Sequence, residues 1–137
     1  MKLSSRIIER LAKMVVGDAQ YFPYRSSGHI TKFFKRCELP FVHDGSTRAR
    51  WAEERLAELS LGISQSPDLP PDNLCRVIVE LFDSDDYGDH NEARADRDGR
   101  VSMEDCASLE NALMAFNHLV KINSTAYPVR HIRILSL

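Results

Sequence analysis

Apolar residues recur at three- and four-residue steps over five stretches of this chain, with breakers and caps between them, a pattern that predicts amphipathic helices. The first stripe, Ile7, Ile8, Leu11, Met14 and Val15, follows the cap candidates Ser4 and Ser5 and stops at Gly17, a residue suited to a left-handed helix end. From Asp18 to Arg25, Pro23 among aromatics predicts an extended connection that Tyr21, Phe22 and Tyr24 pin to the core. A second stripe, Ile30, Phe33, Phe34 and Cys37, follows the caps Ser26 and Ser27 and ends at Pro40, with Lys32, Lys35 and Arg36 off the stripe. Burying such side chains is worth roughly 1.5 to 3 kcal/mol each, so packing rather than propensity holds this helix.

The turn His43-Asp44-Gly45 and the cap candidate Ser46 open a third helix from Thr47 to Ser60, with Ala52, Leu56 and Leu59 inward and Gly62 as its stop. Trp51 lies beside that stripe, where it can face the core or a partner. Ser64 to Pro71 reads as a connector that delivers Pro71 to the start of a fourth helix, lined by Leu74, Val77, Ile78 and Leu81. Asp83 to Arg100 is acidic and without hydrophobic period, which predicts a solvated loop or insertion. Ser102 with Asp105 resembles a capping box for a fifth helix along Cys106, Leu109, Leu113, Phe116 and Val120, expected at the centre of the core. After Pro128, β-branched residues predict a strand from Val129 to Leu135, whose edge needs a neighbouring segment, a second copy of the chain or further sequence to pair with.

These elements define the expected fold class: mainly α, a bundle of about five helices closed by a short C-terminal β-strand, in one domain over 1–137. A hydrophobic fraction of 43% with 28% charged residues is ordinary for a soluble globular domain and argues against wholesale disorder or membrane residence. No apolar run approaches the roughly 20 residues of a spanning helix, and Arg6, Glu9 and Arg10 interrupt any signal peptide, so a cytoplasmic location is expected. Cys37, Cys75 and Cys106 are widely spaced and without a paired motif, which favours buried reduced thiols over a disulfide framework or a structural zinc site.

The formal net charge of −2 conceals an asymmetry: the N-terminal part is basic, whereas Asp83, Asp85, Asp86, Asp89, Glu92, Asp96 and Asp98 crowd one segment. Within that segment, Asp96-Arg-Asp98-Gly99-Arg-Val101 matches the middle of a calcium-binding loop, but the alignment puts Arg94 at the first ligand position and Asp105 at the last. A cation where a carboxylate is needed favours an acidic loop over a calcium site. His29, His43, His90, His118 and His131 are dispersed, capping accounts for Ser26, Ser46 and Ser102, and no phosphate-binding or dinucleotide fingerprint occurs. The expectation is a chain without catalytic residues, cofactor or metal.

The densest aromatic and basic residues lie between Gly17 and Glu58, and they form the candidate partner-binding surface: Tyr24, Arg25, Lys32, Lys35, Arg36, Arg48, Arg50, Trp51 and Arg55. Such a face fits a protein partner; the alternative is a nucleic acid held by phosphate contacts and by stacking on Tyr24 or Trp51. Arg48 and Arg50 stand at the start of the third helix, where the dipole disfavours cations, which suggests that contacts retain them.

The succession Pro23-Tyr24-Arg25-Ser26-Ser27, Ile30-Thr-Lys-Phe33-Phe34, Gly45-Ser-Thr-Arg48-Ala-Arg-Trp51, Leu69-Pro70 and Arg76-Val-Ile resembles the N-terminal domains of AbiJ-type abortive-infection proteins. The resemblance implies a non-catalytic recognition or adaptor domain of a bacterial antiphage defence protein, joined to or acting on an effector. The acidic stretch Asp83 to Asp98 and the basic strand Arg130-His-Ile-Arg133 depart from the pattern.

Overall fold

The Ser4 hydroxyl accepts a hydrogen bond from the Ile7 amide at 3.3 Å and starts α1, Ser5–Val16. In the computed structural model, which describes residues 2–98 and 107–126, five further helices follow: α2 (Ser27–Arg36), α3 (Arg48–Leu59), α4 (Asp72–Leu81), α5 (Ser84–Asp98) and α6 (Leu109–Ala126). The fold is mainly helical, as the periodicity predicts, and no strand occurs among the described residues. The expected strand at 129–135 and the capping box at Ser102 lie outside them.

Each of the first four helices buries the stripe its spacing predicts. Ile7, Ile8, Leu11 and Val15 of α1, Ile30, Phe33 and Phe34 of α2, Ala52, Leu56 and Leu59 of α3, and Leu74, Val77, Ile78 and Leu81 of α4 share one core. The largest fully buried side chains, among them Phe33, Phe34, Leu11, Ile30 and Leu56, belong to these helices, so the core centres on them and not on the last helix. Along α6 the buried face is Ala112, Phe116, Leu119 and Asn123, while Leu109, Leu113 and Val120 are only partly covered. The seam is rotated because Asn123 anchors it: its side-chain amide donates to the Lys2 carbonyl oxygen, and its Oδ1 accepts from the Ser4 amide.

The acidic segment is the main departure from expectation. Residues read as a solvated loop form α5, which the Asp83 side chain caps by accepting from the Asp85 amide at 2.9 Å. Asp85 and Asp86 in its first turn suit the positive end of the helix dipole. A single buried ring, Tyr87, fastens the helix, its hydroxyl donating to the Leu81 carbonyl oxygen at 3.0 Å. Further along, the Asn91 side chain exchanges two hydrogen bonds with the backbone of Ala107, at 2.8 and 2.9 Å. Asp96 and Asp98 of the calcium-like motif thus fall on a helix.

Candidate functional site

The C-terminal end of α1 organises the basic residues. Gly17 turns the chain at φ +82°, and the loop folds back so closely that a β-carbon at Gly17 would lie 2.1 Å from the Pro23 carbonyl oxygen. Four carbonyls at the end of a helix lack intrahelical partners. Here the Asp18 and Ala19 amides donate to that of Lys13, and the Gly17 amide to that of Met14. Arg25 Nη1 donates to the Val15 carbonyl oxygen at 2.7 Å, while Arg48 Nη2 (2.6 Å) and the Arg25 amide (3.0 Å) donate to that of Val16. Two arginines therefore complete the negative end of α1, which supplies the contacts that retain Arg48 at the otherwise unfavourable start of α3.

Two members of the expected docking face, Arg25 and Trp51, point inward. Arg25 is 3% exposed, stacked over the Phe33 ring at 4.5 Å and paired with Asp86 at 2.9 Å. Trp51, 5% exposed, sits edge-on to Phe34 and His43 with ring centroids 5.7 and 5.0 Å away, and Phe41 lies beyond. Arg55 covers this cluster over Phe41 and Trp51 and pairs with Glu58 of its own helix at 3.0 Å. Arg48 reaches Asp18 at 3.1 Å and stacks over Tyr24 at 4.2 Å. The outward surface expected of these four residues is thus an internal arrangement: the arginines neutralise the protein's own carboxylates or carbonyls, and the indole is core.

Lys32, Lys35 and Arg50 are exposed. Of the nine candidates, Tyr24, Arg25, Lys32 and Arg36 line one cleft of about 580 Å³. It runs between the start of α2, where Ser26 and His29 contribute, and α5, which supplies Asp86, Asp89 and His90. Tyr24, 50% exposed, presents one edge of it. Lys35, Arg48, Arg50, Trp51 and Arg55 do not line it.

Arg25, Arg36 and Asp86 of the cleft lining belong to one ion cluster. Arg36 donates through Nη2 to both oxygens of Asp86, at 3.0 and 3.1 Å, and through Nε to Glu80 at 2.6 Å. Asp86 therefore receives two guanidiniums, one of them buried. His29, His90, Asp86 and Asp89 are functional candidates that periodicity missed. For the three on α5 the signal is local: Asp83 as a cap, acids in a first turn and then the helix-favouring run Glu92-Ala-Arg-Ala.

One pair elsewhere has the elements of nucleophile activation. Ser27 Oγ lies 2.6 Å from His43 Nδ1, but the buried His43 Nε2 has no hydrogen-bond partner among the described residues. The third group that would orient a catalytic imidazole is not at hand there, and the contact links α2 to the Trp51 cluster. Among the described residues no three His, Cys, Asp or Glu side chains converge as metal ligands, and no helix is long and apolar enough to cross a membrane. Comparison of the chain with protein-family models, curated proteins and solved structures finds no match.

Proposed function

We propose that this chain is a non-catalytic recognition or adaptor domain that captures a segment of a partner protein in the cleft between α2 and α5, in the antiphage setting that the resemblance to AbiJ-type N-terminal domains implies. The observation that supports this most is the convergence of Tyr24, Lys32 and Arg36 on one concave surface while the neighbouring arginines are occupied internally. Lys32 and Arg36, four residues apart, stand on one face of α2. A volume of about 580 Å³ suits a few side chains or a small ligand.

A protein segment fits better than a nucleic acid. Phosphate-backbone binding needs a row of available cations, and Arg25, Arg48 and Arg55 are already engaged by carbonyls, carboxylates and rings. The ring of Tyr24 already has Arg48 stacked against it. The test is site-specific photocrosslinking in bacterial cells, with the crosslinker in place of His29 at the cleft or of Arg50 outside it. A protein adduct is expected from the first position alone, and it should disappear on Tyr24→Ala or Lys32→Glu substitution. An adduct that survives both substitutions overturns the reading, whereas tight, steeply salt-dependent binding to DNA or RNA would favour the nucleic-acid alternative.

A further inference from the structure

Resting on that reading of the cleft, we propose that the partner presents a phosphate monoester, which takes the place of Asp86 between Arg25 and Arg36 and loosens α5. Two guanidiniums around one carboxylate form an oxyanion site whose resident ligand is the chain's own Asp86. The site keeps its shape without that ligand, because Arg25 is held independently by the Val15 carbonyl oxygen and the Phe33 ring. Arg36 is likewise retained by Glu80 through Nε, leaving Nη2 for the incoming anion.

The choice of phosphate follows from competition. Asp86 is tethered, so its effective concentration at the two arginines is high, and a monoanionic carboxylate from outside gains nothing by replacing it. A phosphate monoester carries about −1.5 to −2 charges at neutral pH and three acceptor oxygens. It can hold both arginines and also engage Lys32, which lines the cleft and has no carboxylate partner among the described residues. The opposing acid, Asp89, is on α5 and moves away with that helix.

The anchorage of α5 makes such a displacement local. Over 84–92, Tyr87 is its one buried side chain, and Asp86 and Asn91 make long-range side-chain bonds to the rest of the fold. Once released, the Asp86 carboxylate returns to water in the first turn of a helix, a position that favours it.

Phenyl phosphate and benzoate, titrated against the whole chain, separate the two anion classes. Phenyl phosphate is expected to shift the His29 and Lys32 amide resonances and to speed hydrogen exchange over 84–92 while α1 and α4 stay protected; benzoate should do neither. The Asp86→Ala variant, with the resident anion gone, should bind phenyl phosphate about tenfold more tightly than the wild type, and added Lys32→Ala should reverse much of that gain. Should Asp86→Ala fail to fold, Asp86→Asn provides the same comparison. Equal affinity of variant and wild type, or unchanged exchange in α5, overturns the proposal. Equal binding of benzoate and phenyl phosphate at the cleft overturns the phosphate preference but leaves the recognition reading standing, since that depends on the crosslink at His29.

Discussion

Arg25 Nη2 lies 2.9 Å from Asp86 Oδ2, joining the loop before α2 to the first turn of α5, with the arginine almost wholly withdrawn from water. A pair with one buried member is worth more than an exposed ion pair, because removing the carboxylate strands a desolvated cation. Asp86→Ala is therefore expected to lower the unfolding free energy by about 2 to 4 kcal/mol. Arg36→Ala should cost about 1 kcal/mol or less, since the Arg36 side chain is 46% exposed. Urea denaturation of both variants checks the order, and equal costs would mean that Arg36 rather than Arg25 carries the cluster.

Gly17 and Gly45 share a left-handed backbone, at φ +82° and +85°, but not their surroundings. A methyl group on Gly17 would run into the Pro23 and Tyr24 backbone, whereas nothing lies within 4 Å of one on Gly45. Gly45→Ala is expected to cost about 1 kcal/mol from backbone strain alone, and Gly17→Ala more than about 3 kcal/mol because the loop carrying Tyr24 and Arg25 must also move. Comparable unfolding midpoints for the two variants would show that the loop yields without resistance.

Trp51 offers a direct choice between packing and docking. As the centre of a ring cluster with Phe34 and His43, its replacement by Ala should destabilise the fold by about 3 to 5 kcal/mol. The native indole should fluoresce as a buried group, with emission shifting to the red on unfolding. A variant as stable as the wild type would restore Trp51 to the surface.

Helices with a regular apolar stripe were legible from spacing because burial of that stripe is what holds them. The seam of α6 is rotated from the apolar stripe, since Asn123, a polar residue, is one of its fully buried members and the apolar count ignores it. The period failed for α5 because Tyr87, Asp86 and Asn91 attach it through polar groups, and a hydrophobic pattern cannot register an ion pair made with Arg25. The same blindness exaggerated the docking surface: in sequence Arg25 and Arg48 look like solvated cations, and only the fold brings them to the open carbonyls of α1. The cleft combines loop, α2 and α5, so its composition was hidden until α5 was placed.

Alkaline pH should expose the cost of two buried acids. Burial, aided by the negative charge of Glu80, raises the Cys37 thiol from its ordinary 9.0 to about 12. Burial also raises the Tyr87 hydroxyl, which donates to the Leu81 carbonyl oxygen. Each group is held neutral in the folded state above the pH at which it ionises in the unfolded chain, so the unfolded state binds fewer protons there and stability must fall as pH rises. For Cys37 the window runs from about 9 to about 12, and Tyr87 adds to the slope above its ordinary 10.0. Urea midpoints are expected to stay level from pH 7 to 8.5 and then decline, with Cys37→Ala giving a shallower decline from pH 9 and Tyr87→Phe a shallower one above pH 10. An identical alkaline slope in the wild type and both variants would mean that neither group is shielded from water, and that Tyr87 does not fasten α5 to the core.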